Sequence, residues 1–564
     1  MLEEALNRQE MFWQEKAKIN WHLNGDRNTK YFHRLVKIKN TTKTITSLQD
    51  GDNILTDYNQ ISDHIINYYK NLFCSNLVLQ DSTLIDDVIP SLVTTDVNAI
   101  LTLLPSHEEI KAAVFALNTD SAPGPDGFGA FFYQHYWEIV QQDVTNAVLE
   151  FFTKSWILPG FNANIIALIP KSPEATSIDQ YRPIAMANFK FKVISKILAD
   201  RLASILPSII SDEQKGFIHD RNIQDCICIA SEAVNLLHNK SFGEVLSRSI
   251  SKLVNQGVLN QIKGTRNCWV PSHSFYADDL LIFCKGNLSG LKALKNLFDQ
   301  YALESGQVIN PSKSTIYSGS ITPGRLNLIV QLLNFKLGSI PFVYLGVPIF
   351  KGKPTSLHLQ PVADKIKLKL SAWKASLLSI AGRVQLVRSV VQSMLIYSIS
   401  IYSWPTSLIK DLEKCIRNFI WSGDTDKRKL VTVSWKIVCR PFSQGGLNIR
   451  SLVKLNEASN LKLCWSLLHS HASWAKLLRD RVFKKGRPIN HHIFSSLWSS
   501  VKAEFVTIKD NSAWLFGDGV SISFWHDEWC GPPLSTQLHI PTQISSLLSS
   551  KALHRHIMLR FVEL

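Results

Sequence analysis

Two adjacent carboxylates, Asp278 and Asp279, stand between the apolar runs Phe275-Tyr276-Ala277 and Leu280-Leu281-Ile282-Phe283. Both runs are too short for helices, and the pattern predicts a tight β-hairpin with the acids near its tip. Paired aspartates presented this way suit two-metal phosphoryl transfer. Mg²⁺ is a hard cation that takes oxygen ligands and can bridge a carboxylate to substrate phosphates. Taken alone, the pair reads at least as well as an ordinary turn, because Asp is a common turn residue.

The elements that must position this pair lie in a long chain. Its 564 residues predict roughly three to five domains. With 45% hydrophobic and 19% charged residues the chain reads as globular, and wholesale disorder is excluded. Lys plus Arg total 61 against 46 Asp plus Glu, a formal charge of +15 that favours a polyanionic partner. A membrane role is disfavoured. The longest apolar stretch, 394–404, is interrupted by three serines and falls short of the roughly 18 residues a span needs. The start MLEEALNRQE has three glutamates and no apolar core, unlike a secretory signal. Nine scattered cysteines without a CxxC pair argue for reduced thiols. Together these predict an intracellular protein, nuclear or cytoplasmic.

Along the chain, residues 1–40 are polar and basic with interleaved aromatics. They predict two helices around a turn at Asn24-Gly25-Asp26. Arg27, Lys30, His33, Arg34, Lys37 and Lys39 form either a polyanion contact or a plain solvated face. A helix start at Pro105-Ser106-His107-Glu108-Glu109 opens a new domain. The run Ser121-Ala-Pro-Gly-Pro-Asp-Gly-Phe-Gly129 must be a loop. Helices are predicted over 130–153, over 189–205 with a stop before Pro207, over 222–238, over 244–254 and from Leu288 to Ser305. Strands are predicted at 164–169 and, as a strand or hairpin, at 342–350. Residues 361–402 read as mostly helical, and the rest is tryptophan-rich with a Gly-Asp-Gly turn at 517–519. Cys226 and Cys228 read as buried.

The order of these features carries a resemblance. Ala122-Pro-Gly-Pro-Asp-Gly-Phe128, Leu168-Ile-Pro-Lys171, Tyr181-Arg-Pro-Ile184, Phe275-Tyr-Ala-Asp-Asp279, Glu304-Ser-Gly306 with Asn310-Pro-Ser-Lys313, and Tyr344-Leu-Gly-Val347 resemble the ordered motifs of a reverse transcriptase. The closest likeness is to the non-LTR, LINE-type retrotransposon enzymes of plants. Gly25-Asp26-Arg-Asn-Thr-Lys30 with Phe32-His33 resembles the linker before the polymerase of that family.

The resemblance implies an α+β, right-hand polymerase-like fold with helical extensions at both ends. Its parts would be a basic linker at 1–104, fingers at 105–240, an incomplete palm at 241–360, thumb-like helices at 361–425 and a Trp-rich region at 426–564. It implies RNA and DNA partners as template and primer, and Mg²⁺ or Mn²⁺ held by Asp278 and Asp279. Lys171 and Arg182 would serve the triphosphate, where a guanidinium fork suits phosphate oxygens. Tyr276 would lie beside the primer end, Lys313 would protonate the leaving pyrophosphate, and Tyr344, Leu345 and Gly346 would hold the primer. Lys365, Lys369, Lys374, Arg383 and Arg388 would meet backbone phosphates. The sequence names no protein partner.

The sequence also departs from that family. Two metals roughly 3.5–4 Å apart need a further carboxylate facing the hairpin, and the family strand that carries it, with the Gln-Gly-containing motif after it, is not recognisable here. Between Pro183 and Phe275 the aspartates are Asp200, Asp212, Asp220 and Asp225, all in helix or helix-start contexts, and after Glu232 only Glu244 remains among the acids. Ser241-Phe-Gly243 resembles sequence just before the missing strand, and Val245-Leu-Ser-Arg-Ser-Ile250 resembles sequence well after it. A zinc site is not expected, because His491, His492, His526 and Cys530 have no convincing ligand spacing. Three functions follow as alternatives: an active RNA-directed DNA polymerase, an inactive relative that still binds nucleic acid, and a decayed product that does not fold.

Overall fold

The computed structural model describes residues 45–74, 84–172, 174–235, 244–263, 269–319, 321–373, 378–431, 433–484, 487–489, 492–512 and 537–539. The basic run 27–39, residues 241–243, Lys374, His491, the turn 517–519 and residues 524–530 lie outside them. Helix and strand are mixed, consistent with the α+β expectation. Among the described residues no helix is long and apolar enough to cross a membrane. The chain divides into two units, 1–349 with 373–386, and 350–372 with 387–564.

The described part of the first unit opens with a small hairpin, β1 (Leu48–Asp50) and β2 (Asn53–Leu55), followed by helix α1 (Tyr58–Phe73). Asp57 starts α1 because its carboxylate accepts the otherwise orphaned N–H groups of Asn59 and Gln60, at 3.0 and 3.1 Å. Leu48, Ile61, Tyr69 and Ile178 bury against one another.

A helical layer follows, built from α2 (His107–Ala116), α3 (Trp137–Lys154) and, beyond an intervening ribbon, a helix at Phe189–Ile209. Ser106 caps α2 through a 3.2 Å bond from Glu109 N–H, at the start the sequence predicts. The apolar residues Ile110, Val114, Trp137, Val144, Val148, Phe189, Val193 and Ile197 recur at helical spacing and form one core. Burying each such side chain contributes roughly 1.5–3 kcal/mol. The helix expected over 130–153 is broken at Tyr136, which leaves the helical region at φ −101°, ψ 24°. Trp137, the residue after the break, is buried to 2% exposure.

The ribbon between them pairs β3 (Asn164–Pro170) with β4 (Tyr181–Ala187) in antiparallel register, seven residues on each side. The last long helix of the layer, α4 (Phe189–Ile209), runs through Pro207 instead of stopping before it. The reason lies at its C-terminus. The guanidinium of Arg221 donates to the carbonyls of Pro207 at 3.1 Å and Ile210 at 2.8 Å, and Arg248 donates to Ile209 O at 2.7 Å. These bonds satisfy the last carbonyls of the helix, which have no further N–H groups ahead of them.

The Pro- and Gly-rich loop 121–129 is fixed. Asn188 Oδ1 accepts Asp126 N–H at 3.0 Å, and Lys192 Nζ donates to Ala122 O at 2.6 Å. Gly124 allows this close approach, since a Cβ there would come within 2.4 Å of Asn188 N.

The rest of the first unit surrounds the predicted acidic hairpin. It contains α5 (Ile223–Val234), α6 (Glu244–Asn255), β5 (His273–Tyr276), β6 (Asp279–Ile282), α7 (Leu288–Ser305), β7 (Thr315–Ile316), α8 (Pro323–Leu333), β8 (Lys336–Leu337), β9 (Phe342–Tyr344) and β10 (Val347–Ile349). β5 pairs with β6 and β9 with β10, both antiparallel, whereas β7 and β8 are parallel. Leu246 and Ile250 of α6, Phe275, Leu280 and Ile282 of the hairpin, and Leu291, Leu294 and Phe298 of α7 form a continuous core. Cys226 and Cys228 are buried in α5, as the sequence predicts.

The second unit is helical in its described part: α9 (Ser356–Ala372), α10 (Thr406–Ser422), α11 (Leu452–His469) and α12 (Ser473–Val482) are its longer elements. Leu359, Ala363, Ile366 and Leu370 make one buried face of α9, and Leu408, Leu412, Ile416 and Phe419 one of α10. The carboxylate of Glu413 caps α11, accepting Leu452 N–H at 2.8 Å.

Candidate functional site

The hairpin β5–β6 forms because its strands supply β-compatible apolar residues and its turn is only two residues long. Tyr276 pairs with Asp279, leaving Ala277 and Asp278 as the loop. Ala277 sits at φ +55°, in the left-handed region that glycine occupies at no steric cost. Everything behind the tip is buried: Phe275 and Ile282 have no exposure, and Leu280 and Leu281 have 6% and 4%. Asp278 and Asp279 are exposed, so the fold delivers two carboxylates to solvent on a rigid base.

The loop before α5 grips this tip. Phe275 N–H donates to Glu213 O at 2.8 Å, and Lys215 N–H donates to Phe275 O at 2.9 Å, a strand-like pairing along the open edge of β5. The side chain of Gln214 accepts Gly216 N–H at 2.9 Å and Ala277 N–H at 3.3 Å through one oxygen. Gly216 presses on the turn so closely that a Cβ would lie 2.5 Å from Ala277 N. Arg221 holds the loop from inside, donating to Gln214 O at 2.7 Å and to Ser211 O. Phe217, at φ +61°, is left outside with 85% exposure, its ring centroid 6.4 Å from that of Tyr276.

A buried polar chain supports the base of the hairpin. His273, 1% exposed, takes Ser247 Oγ at 2.7 Å on Nε2 and Ser272 Oγ at 2.8 Å on Nδ1, and Ser211 Oγ lies 2.9 Å from Ser247 Oγ. Burial pushes the imidazole down to about 3, so the ring is neutral at physiological pH. Burial likewise pushes the Cys226 thiol, which donates to Phe275 O, up to about 11. These groups are structural ties with no nucleophilic character.

The donor set does not complete a two-metal site. Two carboxylates share one turn, and among the described residues no three His, Cys, Asp or Glu side chains converge to hold a metal. The other aspartates are placed elsewhere: Asp200 pairs with Lys196 on α4, Asp212 lies 3.7 Å from Arg221, Asp220 pairs with His219, and Asp225 stands in the first turn of α5. Glu244 is the first residue of α6 and no strand residue.

The remaining expected residues among those described fall in five places. Lys171 and Arg182 share one end of the β3–β4 ribbon, where Arg182 pairs with Ile169 and Lys171 Nζ binds Asp179 O. Lys313 stands exposed on a turn held by Asn310, and its Nζ makes no ion pair among the described residues. Leu345 and Gly346, at φ +47° and +79°, form the two-residue turn between β9 and β10, and Tyr344 is buried to 7% exposure. Lys365 and Lys369 lie exposed on α9 of the second unit. There Lys367 pairs with Asp411, and Arg388 stacks its guanidinium over Phe442 at 5.1 Å. Arg383 belongs to the first unit, where its Nε donates to Leu378 O at 3.1 Å. Residues that sequence reasoning missed are Gln214, Gly216, Phe217, Arg221, Ser247 and His273. Their only signal was a Gly before an aromatic in a polar run.

Residues 238–349, which contain this hairpin, match the reverse transcriptase (RNA-dependent DNA polymerase) family. The chain is 31% identical to a putative ribonuclease H protein of Arabidopsis thaliana, over 33% of this chain and 32% of that protein. It is 21% identical to an uncharacterized 149 kDa protein of transposon TX1 from Xenopus laevis, over 75% of this chain and 38% of that protein. It is 27% identical to an uncharacterized mitochondrial protein of Arabidopsis thaliana, over 24% of this chain and 90% of that protein. The chain thus spans 32% and 38% of the length of the first two relatives.

Proposed function

We propose, on the premise that this is a reverse-transcriptase chain of the non-LTR retrotransposon kind, that it binds template and primer nucleic acid and has lost DNA synthesis. In this reading the helical layer and the β3–β4 ribbon are fingers, the β5–β6 hairpin with α5, α6 and α7 is a reduced palm, and α9 and α10 belong to a thumb. The observation that carries the loss is the pair Asp278 and Asp279 standing on one turn with no third acidic ligand among the described residues.

Phosphoryl transfer depends on positioning and electrostatics, because the protein has little covalent chemistry to perform. Two carboxylates on a solvent-exposed turn can attract one divalent ion, but they leave a second without fixed ligands. Neither in-line alignment nor a fixed charge at the attacking oxygen is then supplied. Binding needs less. Exposed lysines such as Lys365 and Lys369 meet phosphates without a metal, and a net charge of +15 favours any nucleic acid over none. The packed core around the hairpin favours this over the reading as a product that does not fold.

The test is primer extension on an RNA template with Mg²⁺ or Mn²⁺, beside an Asp278→Ala, Asp279→Ala variant. The expected result is no extension by either. Extension by the parent chain that disappears in the variant would overturn the proposal and mean that another acid completes the site.

A further inference from the structure

Phe217 is the most exposed aromatic side chain among the described residues, and it stands at φ +61°, where a bulky residue is strained. Two costs meet at one position. Exposing a phenyl ring forfeits the burial that would stabilise it, and the left-handed backbone costs roughly 1 kcal/mol or more for a non-glycine. The fold holds the residue there firmly. Gln214 bonds both Gly216 and Ala277, Gly216 lies against the turn, and Arg221 anchors the loop from inside. Strain that the surroundings over-determine in this way points to a ligand that recovers it.

We infer that Phe217, flanked by Tyr276, is a stacking platform for a nucleobase of a bound single strand, at the edge of the Asp278–Asp279 turn. The ligand's contacting part must be planar and apolar on its face to suit a phenyl ring, and it cannot be anionic, because the two exposed carboxylates beside it repel phosphate. A nucleobase meets both conditions, while the strand's phosphates run toward basic surface elsewhere. This rests on the nucleic-acid-binding reading above and adds to it a base contact where charge alone gives none.

The test uses the full chain and a fluorescein-labelled oligoadenylate, followed by anisotropy across a salt series. Removing a stacked base contact weakens single-strand binding roughly five- to a hundredfold. Phe217→Ala is expected to show that loss with an unchanged salt slope, because stacking releases no counterions. Phe217→Trp should restore affinity and Phe217→Leu should not, which separates stacking from volume. Since Phe217 is exposed, none of these changes opens a core cavity. Salt-dependent binding by the parent with equal affinity in Phe217→Ala would overturn the platform and leave the nucleic-acid reading intact. No binding by the parent even at low salt would overturn both.

Discussion

His273 Nε2 lies 2.7 Å from Ser247 Oγ, and this bond ties β5, the first strand of the acidic hairpin, to α6, the helix that packs beside it. The other ring nitrogen is taken by Ser272, so the imidazole bridges two hydroxyls within a space that excludes water. Such a network rigidifies only while every member is satisfied, and a protonated ring cannot accept from either serine.

The first prediction follows from that requirement. Folding lowers the proton affinity of His273 from an unfolded value of roughly 6.5 to about 3. Its neutral form therefore contributes fully above the unfolded value, and the contribution is lost as pH falls from there toward the folded one. Between pH 7 and pH 5 the loss should be about 2 kcal/mol. Protection factors of the 273–282 amides, referred to the intrinsic exchange rate at each pH, should fall over that range, and a His273→Gln variant should show less of the change. Equal pH dependence in both chains would sink the idea.

Second, neighbouring positions should respond with opposite signs. Ala277→Gly relieves a left-handed residue, offset by glycine's greater chain entropy, and should stabilise by up to about 1 kcal/mol. Gly216→Ala drives a Cβ into the Ala277 backbone and should destabilise by about 1–3 kcal/mol. Urea midpoints for the two variants that move in the same direction would show that the loop does not press on the turn as described.

The hairpin was legible in the sequence because two apolar runs too short for helices flank the aspartate pair, and because two aspartates cannot be buried between them. The capped start of α2 at Ser106 was legible for a similar local reason. The grip of residues 213–217 was not. Gln214 bonds across 63 positions to Ala277, and no periodicity within Asp212-Glu-Gln-Lys-Gly-Phe217 distinguishes that loop from a solvated one. The run of α4 through Pro207 was hidden likewise, since the guanidiniums that satisfy its end come from Arg221 and Arg248, far along the chain. His273 gave no signal because Ser247, which binds its Nε2, sits on another element.

Third, Arg221 should be irreplaceable by lysine. Its side chain is 9% exposed and its fork serves carbonyls of Pro207, Ile210, Ser211 and Gln214 together. A single ammonium cannot reach that set. Arg221→Lys and Arg221→Met should both cost roughly 2–3 kcal/mol, seen as faster exchange across 207–217. Full rescue by lysine would mean that charge, and not the fork, holds the loop.

Fourth, nucleic-acid binding should be driven by phosphate contact from the second unit. Lys365 and Lys369 are exposed on α9 and make no ion pair among the described residues. For single strands each phosphate contact contributes about 0.7 to the slope of log affinity against log salt. Lys365→Glu with Lys369→Glu should flatten that slope by about 1.4 and weaken binding at low salt. A slope identical to the parent's would place the contact elsewhere.

The last prediction concerns what two carboxylates do when they do not complete a metal site. Within a Debye length, about 10 Å at 0.1 M salt, Asp278 and Asp279 repel the phosphates of any strand bound near the tip. In a competent site a bound metal reverses that sign, so neutralising the aspartates would cost affinity in the presence of Mg²⁺. Here two exposed carboxylates hold a divalent ion only weakly, so most of the repulsion should persist when Mg²⁺ is present. Asp278→Asn with Asp279→Asn should therefore tighten binding of a template-primer duplex severalfold at low salt, by about 1 kcal/mol, and the gain should shrink as salt is raised. The measurement is a titration of parent and double variant against the same duplex, with Mg²⁺ and with EDTA. If the asparagines instead weaken binding only when Mg²⁺ is present, the turn holds a functional metal and the loss-of-synthesis reading falls with it.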